Sequence, residues 1–165
     1  MKSRRPLLAY GLALLVVALD QLSKYWVTVI FDLPNKHTVA VLPFFDLTYV
    51  PNPGVSFGLF QADNGQEWIK WALVGFSAVV VAILAIWVKG ARRNWSAVSI
   101  GLIMGGALGN LIDRVRFGHV TDFLDFSKLH FRYVFNVADA AINVGIAILL
   151  IETFLAPDRR KAATS

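Results

Sequence analysis

Residues 68–88 read WIKWALVGFSAVVVAILAIWV, with Lys70 as the only charge. A stretch of this length and composition suits a helix crossing a hydrocarbon core about 30 Å thick, at about 1.5 Å per residue. Trp68 and Trp71 stand at one end and Trp87 at the other, as in an aromatic belt. Three further apolar blocks, about 7–31, 95–112 and 134–156, have comparable length. The chain as a whole is 56% hydrophobic and 16% charged over 165 residues, against about 25% charge in soluble domains. The expectation is a membrane all-α fold in a single polytopic domain, 1–165, with four transmembrane helices.

Between the first two spans lies a long interruption, residues 32–67. Residues 37–50 are rich in Val, Thr, Phe and Tyr with proline and aspartate punctuation, which predicts short strands. Asn52-Pro53-Gly54 is a turn signal, and residues 55–60 are apolar but too short to span. This segment is expected to form a small β-rich extracytoplasmic cap.

The net charge of +5 does not point to nucleic acid. Lys2, Arg4 and Arg5, then Lys89, Arg92 and Arg93, then Arg159, Arg160 and Lys161 flank the apolar blocks. With four spans these clusters fall on one side, which the positive-inside rule makes cytoplasmic. Both termini are then cytoplasmic, and residues 32–67 and 113–133 face outward. Arg114, Arg116, Lys128 and Arg132 run against the rule locally. Ser3-Arg4-Arg5-Pro6 has the outline of a twin-arginine signal, but no small-x-small cleavage site follows it. Without cysteine the chain has neither disulfides nor thiolate chemistry.

Ionisable groups inside membrane helices are costly and are functional candidates by default. Asp20 and Lys24 share a helix face at i, i+4 and can pair, which would suit a structural anchor equally well. Gly101, Gly105 and Gly109 permit close helix approach, which leaves Asn110 and Asp113 unexplained. Asp122 by itself reads as a turn residue. Arg132, Asn136, Asp139 and Asn143 make one polar stripe on the fourth span, compatible also with interhelical hydrogen bonding. His37, His119 and His130 are scattered, and there is no His-Glu-x-x-His metal motif. Ser23 and Lys24 are adjacent and point about 100° apart, which disfavours a serine–lysine dyad. Carboxylates remain: Asp122 and Asp139 lie on the two arms of the last hairpin. Such a pair can share one proton, one member activating water and the other polarising a carbonyl. Paired membrane carboxylates also serve proton relays, but spans two and four read as apolar below the motifs.

Five motifs occur in one order: Asp20-Gln21-x-Ser23-Lys24, Asn52-x-Gly54-x-Ser56-Phe57, Gly105-Gly106-x-x-Gly109-Asn110-x-x-Asp113-Arg114, Val120-x-Asp122-Phe123 and Phe135-Asn136-x-Ala138-Asp139. Together they resemble the bacterial lipoprotein signal peptidases, also called signal peptidase II. The resemblance implies an intramembrane aspartic endopeptidase of the bacterial inner membrane. Its implied partners are membrane lipid and a lipid-modified prolipoprotein, cut just before the diacylglyceryl cysteine near the outer face. It implies no cofactor or metal, and a monomer is compatible with it. Asp122 and Asp139 match the family's catalytic pair. Asn52, Gly54, Asn110, Arg114 and Asn136 match positions implied to hold substrate or orient the pair. Asp20 and Lys24 match a supporting motif, and Asp113 is expected to be structural, paired with Arg114. Val55 replaces a usually smaller residue, and Ala140 a frequently polar one. From its own residues, the 52–60 segment reads either as a lid over the pair, with Gly54 and Gly58 giving backbone freedom, or as a fixed interfacial anchor.

Overall fold

The computed structural model describes residues 4–54, 67–91, 93–129 and 133–155. Helix α1 (Arg5–Tyr25) begins with Pro6 in its first turn, where a missing N–H costs nothing. It continues as a widened π-helical turn, Trp26–Ile30. A single helical turn, α2 (Leu33–Lys36), leads into strands β1 (Thr38–Leu42) and β2 (Phe45–Asn52). Helices α3 (Glu67–Trp87) and α4 (Asn94–Phe117) follow, then strands β3 (Val120–Asp125) and β4 (Val134–Phe135), then helix α5 (Val137–Leu155). Four helical segments, Arg5–Ile30, Glu67–Gly90, Asn94–Phe117 and Val137–Phe154, are long and apolar enough to cross a membrane.

Their outward faces carry large exposed apolar side chains, among them Leu14, Phe76, Ile83, Ile86 and Phe154. In water such a surface would be a liability; here lipid covers it. Without a hydrophobic drive between helices, packing depends on close approach. A Cβ on Gly101 or Gly105 would stand 2.7 Å from the carbonyl oxygen of Ala9 or Ala13, so the glycines of α4 let α1 lie directly against it. The Tyr10 hydroxyl donates to the Ala85 carbonyl at 2.8 Å and ties α1 to α3. At one end of the bundle Arg5 donates to Asn94 and to the Ala91 carbonyl. Glu152 accepts from the Ser96 hydroxyl and pairs with Arg93 at that same end. The fourth span is thus not apolar throughout its lower half, as its sequence was read, although Glu152 is held by named partners.

The strands at the opposite end form one antiparallel sheet in the order β1-β2-β3-β4. The β-rich region is therefore not confined to residues 32–67: segment 113–133 supplies β3, and β4 takes the first two residues of the stretch read as the fourth span. Asp122 lies in strand β3, not in a turn. A bulge between Leu47 and Val50 shifts the β2–β3 register, placing Val50 opposite Asp122 and Asn52 opposite Val120. Side chains alternate between faces, so Asn52 and Asp122 share one face and Pro51 and Thr121 the other. Pro51 is tolerated because β1 pairs only as far as Thr48, leaving β2 an edge beyond it. Val27, Leu33, Leu47 and Phe123 form a small core under the sheet. Helix α4 runs to Phe117, past the 95–112 read from its apolar run, and stops where Gly118 adopts φ 78° and its N–H meets the Arg114 carbonyl.

Candidate active site

The site is built where the sheet meets the ends of α4 and α5. Helix α5 begins with a reciprocal cap. The Asn136 side chain accepts from the Asp139 N–H at 2.9 Å, and the Asp139 carboxylate accepts from the Asn136 N–H at 3.3 Å. This is the geometry of a capping box with asparagine and aspartate as its members. It fixes Asp139 in the first turn, where the helix dipole favours negative charge.

Three asparagines then hold the two carboxylates. Asn136 Nδ2 donates to Asp122 Oδ1 at 2.6 Å, and Asn52 Nδ2 donates to Asp122 Oδ2 at 2.9 Å. Asn110 Nδ2 donates to Asp139 Oδ1 at 2.7 Å, and Asn110 Oδ1 accepts in turn from Asn136 at 3.2 Å. Asn52 is itself held by the turn after β2, its Oδ1 accepting from the Gly54 N–H at 2.9 Å. Gly54 has φ 105°, which L residues rarely adopt. Asp122 is 2% exposed. Burial pushes its carboxyl up to about 6; the neighbouring Asp139 charge adds to this, and the Asn52 and Asn136 amides oppose it.

Asp122, Asp139, Asn52, Gly54 and Arg114 line one cavity of 460 Å³, closed on another side by Tyr133, Phe135, Ile142 and Asn143. The Arg114 Nε is buried without a hydrogen-bond partner among the described residues. A buried donor of this kind normally finds an acceptor, and this one belongs to a side chain lining the cavity.

Beneath the carboxylates lies a buried charge cluster. Lys24 Nζ is 2.8 Å from Asp20 Oδ2 and 2.8 Å from Asp113 Oδ2. The i, i+4 pairing of Asp20 and Lys24 is present. Asp113 is also structural, but its ionic partner is Lys24 rather than Arg114; it further accepts from Gln21 and from the Thr121 N–H. Asp20 Oδ1 accepts the Ala138 N–H at 3.0 Å, a free donor in the first turn of α5. Lys24 also reaches Asn110 Oδ1 at 3.3 Å. The cluster therefore connects through Asn110 to Asp139. Gln21 joins α1 to Asp113 and to the Gly109 carbonyl, a role that its place in the first motif does not reveal. Residues 55–60 of the segment read as a lid or an anchor lie outside the described residues.

Four membrane-crossing helices, with a polar cavity where they meet a small sheet, define a multi-pass membrane protein with a site at one end of its bundle. The family model of Signal peptidase (SPase) II matches residues 12–155. The chain is 45% identical to a lipoprotein signal peptidase of Caulobacter vibrioides over 159 residues, covering 96% of this chain and 93% of that protein. It is 42% identical to one of Beijerinckia indica over 143 residues, covering 86% and 84%. A bacterial membrane enzyme solved by the in meso method at 1.9 Å superposes with a TM-score of 0.76 at 25% identity, covering 91% of this chain and 94% of that one. The chain belongs to the signal peptidase II family and is a membrane hydrolase.

Proposed function

We propose that Asp122 and Asp139 are the catalytic pair of an aspartic endopeptidase. Its reaction removes the signal peptide from a diacylglyceryl-modified prolipoprotein, cutting before the lipidated cysteine. The observation that carries this reading is the shared cavity, in which both carboxylates are fixed by amides from three elements. The ionised member takes a proton from water as the water attacks the scissile carbonyl. The protonated member polarises that carbonyl and then protonates the leaving nitrogen. The shared proton belongs to the pair rather than to either residue, and the raised Asp122 carboxyl supports the presence of one proton near neutrality. Arg114, whose Nε has no hydrogen-bond partner among the described residues, offers it to a substrate carbonyl. Asn52, Gly54, Asn110 and Asn136 hold the pair, and Asp20 and Lys24 support them from below.

The same reading places the sheet and cavity at the outer face of a bacterial inner membrane, with both termini in the cytoplasm. Arg5, Ala91, Arg93 and Glu152 gather at the other end, which supports it. Reporter fusions at Ser165 and near Asn64 should then report opposite sides.

Purified Asp122→Asn and Asp139→Asn variants test the chemistry. Each should insert normally yet lose at least about a hundredfold in cleavage of a lipidated precursor, the low end for general acid–base catalysis. Substantial turnover by either would remove the dyad.

A further inference from the structure

Asn143 is left over from this assignment. It lies in the span Val137–Phe154 and is exposed, lining the same cavity as the two carboxylates. Among the described residues its amide has no hydrogen-bond partner. Asn143 continues the stripe of Asn136 and Asp139, about 6 Å deeper than Asp139 at 1.5 Å per residue. Ile142 beside it lines the cavity too, while Val144 on the far side is 52% exposed.

An amide open to hydrocarbon is costly, because nothing there replaces its hydrogen bonds with water. Leucine at this position would serve packing and insertion better. A polar side chain kept on a membrane helix, inside the cavity and one turn below a site carboxylate, calls for an acceptor arriving with the ligand.

We infer that Asn143 donates a hydrogen bond to an ester carbonyl of the substrate's diacylglyceryl group. The inference rests on the prolipoprotein reading above. With the scissile bond at the carboxylates, the modified cysteine stands beside them and its acyl chains descend into the membrane. The thioether and the first glycerol carbons span roughly one helical turn. The ester groups, the last polar atoms before the hydrocarbon, then reach the level of Asn143. Asn143 is thereby a specificity-determining residue that reads the ester linkage of the lipid, while the carboxylates act on the peptide.

Two synthetic precursor peptides decide it, one carrying a diacylglyceryl cysteine and the other its dialkyl ether counterpart, which lacks the carbonyls. Both are assayed in detergent micelles with the full chain. The wild type should show a KM for the ester about three- to tenfold below that for the ether, the effect of one neutral hydrogen bond. Asn143→Leu should raise the ester KM to the ether value, leave kcat within about twofold, and unfold no earlier than the wild type. Asn143→Gln, which keeps the donor, should restore part of the preference. Equal KM values for ester and ether in the wild type would overturn the inference. So would a loss in Asn143→Leu that is the same for both substrates, since the contact would then be to peptide. If Asp122→Asn still cleaves, the dyad fails, and the ester preference is judged separately by its own measurement.

Discussion

Replacing Lys24 by methionine removes the ammonium and keeps most of the side-chain volume. Lys24 Nζ stands 2.8 Å from a carboxylate oxygen of both Asp20 and Asp113, with side-chain exposures of 6%, 0% and 2% respectively. Without it, two carboxylates face one buried space with no cation between them. Removing one partner of a buried ion pair costs about 3–5 kcal/mol. At 1.4 kcal/mol per power of ten, that is roughly two to three and a half powers of ten in the folding equilibrium. The effect should reach the chemistry as well, because Asp20 holds the Ala138 N–H and Lys24 holds Asn110, which in turn holds Asp139. Thermal unfolding in detergent micelles, followed by tryptophan fluorescence, should show a marked drop in Tm for Lys24→Met, with cleavage impaired at temperatures where it remains folded. A triple variant, Asp20→Asn, Lys24→Met and Asp113→Asn, should recover stability better than activity, since it removes the stranded charges without restoring the link to α5. A Lys24→Met protein with wild-type Tm and wild-type cleavage would refute the claim that this cluster organises the site.

Arg114→Lys should lose cleavage while remaining folded, because a compact ammonium cannot reproduce the planar fork that brings Nε into the cavity; wild-type rates would show that charge alone suffices. With the Asp122 carboxyl at about 6, the proton that the proposed pair shares should leave as pH rises through that value. The alkaline limb of kcat/KM should therefore fall from about 6, and the limb of kcat should lie higher because bound substrate excludes water; a flat profile from pH 5 to 8 would contradict this. The same raised carboxyl gives a stability contribution present below 3.8 and lost as pH rises through about 6. Gly54→Ala forces an L residue to φ 105° and drives a Cβ onto Leu73, 3.6 Å from Arg114 Nε. Strain of about 1–3 kcal/mol should appear as reduced cleavage with normal insertion, and unchanged rates would show that the turn adapts freely.

The spans were legible because hydrocarbon imposes length and composition on a helix, and residues 68–88 meet both demands with one charge. Helix ends were less legible. Helix α4 keeps its hydrogen bonds past Ile112 through Asp113, Arg114 and Arg116, whose polarity suggested a loop; what stops it is Gly118, a backbone signal that hydropathy ignores. Asp122 illustrates the harder case. A strand inside a charged segment between two spans has no long apolar alternation, and its partner β2 lies about 70 residues earlier. Only the pairing shows that Asn52 and Asp122 share a face. The i, i+4 link of Asp20 to Lys24 follows from helix geometry, whereas the link of Lys24 to Asp113 depends on which faces of α1 and α4 meet. Nothing local in the sequence specifies that, and sequence neighbours made Arg114 the nearer candidate.

The hydrogen bond from Ala138 to Asp20 joins residues 118 positions apart, and its consequence concerns biogenesis. Asp20 leaves the ribosome early, Asn52 and Asn110 later, and Ala138 with Asp139 last. Until α5 has been made, Asp20 lacks the Ala138 N–H, Asn110 lacks the Asp139 carboxylate, and the Asn136 side chain lacks the Asp139 N–H that it caps. A nascent chain arrested before Val137 therefore contains three of its membrane helices but no assembled carboxylate pair. Under the proposed dyad, the final helix is the segment that completes the site, and a chain lacking it should not cleave a lipidated precursor.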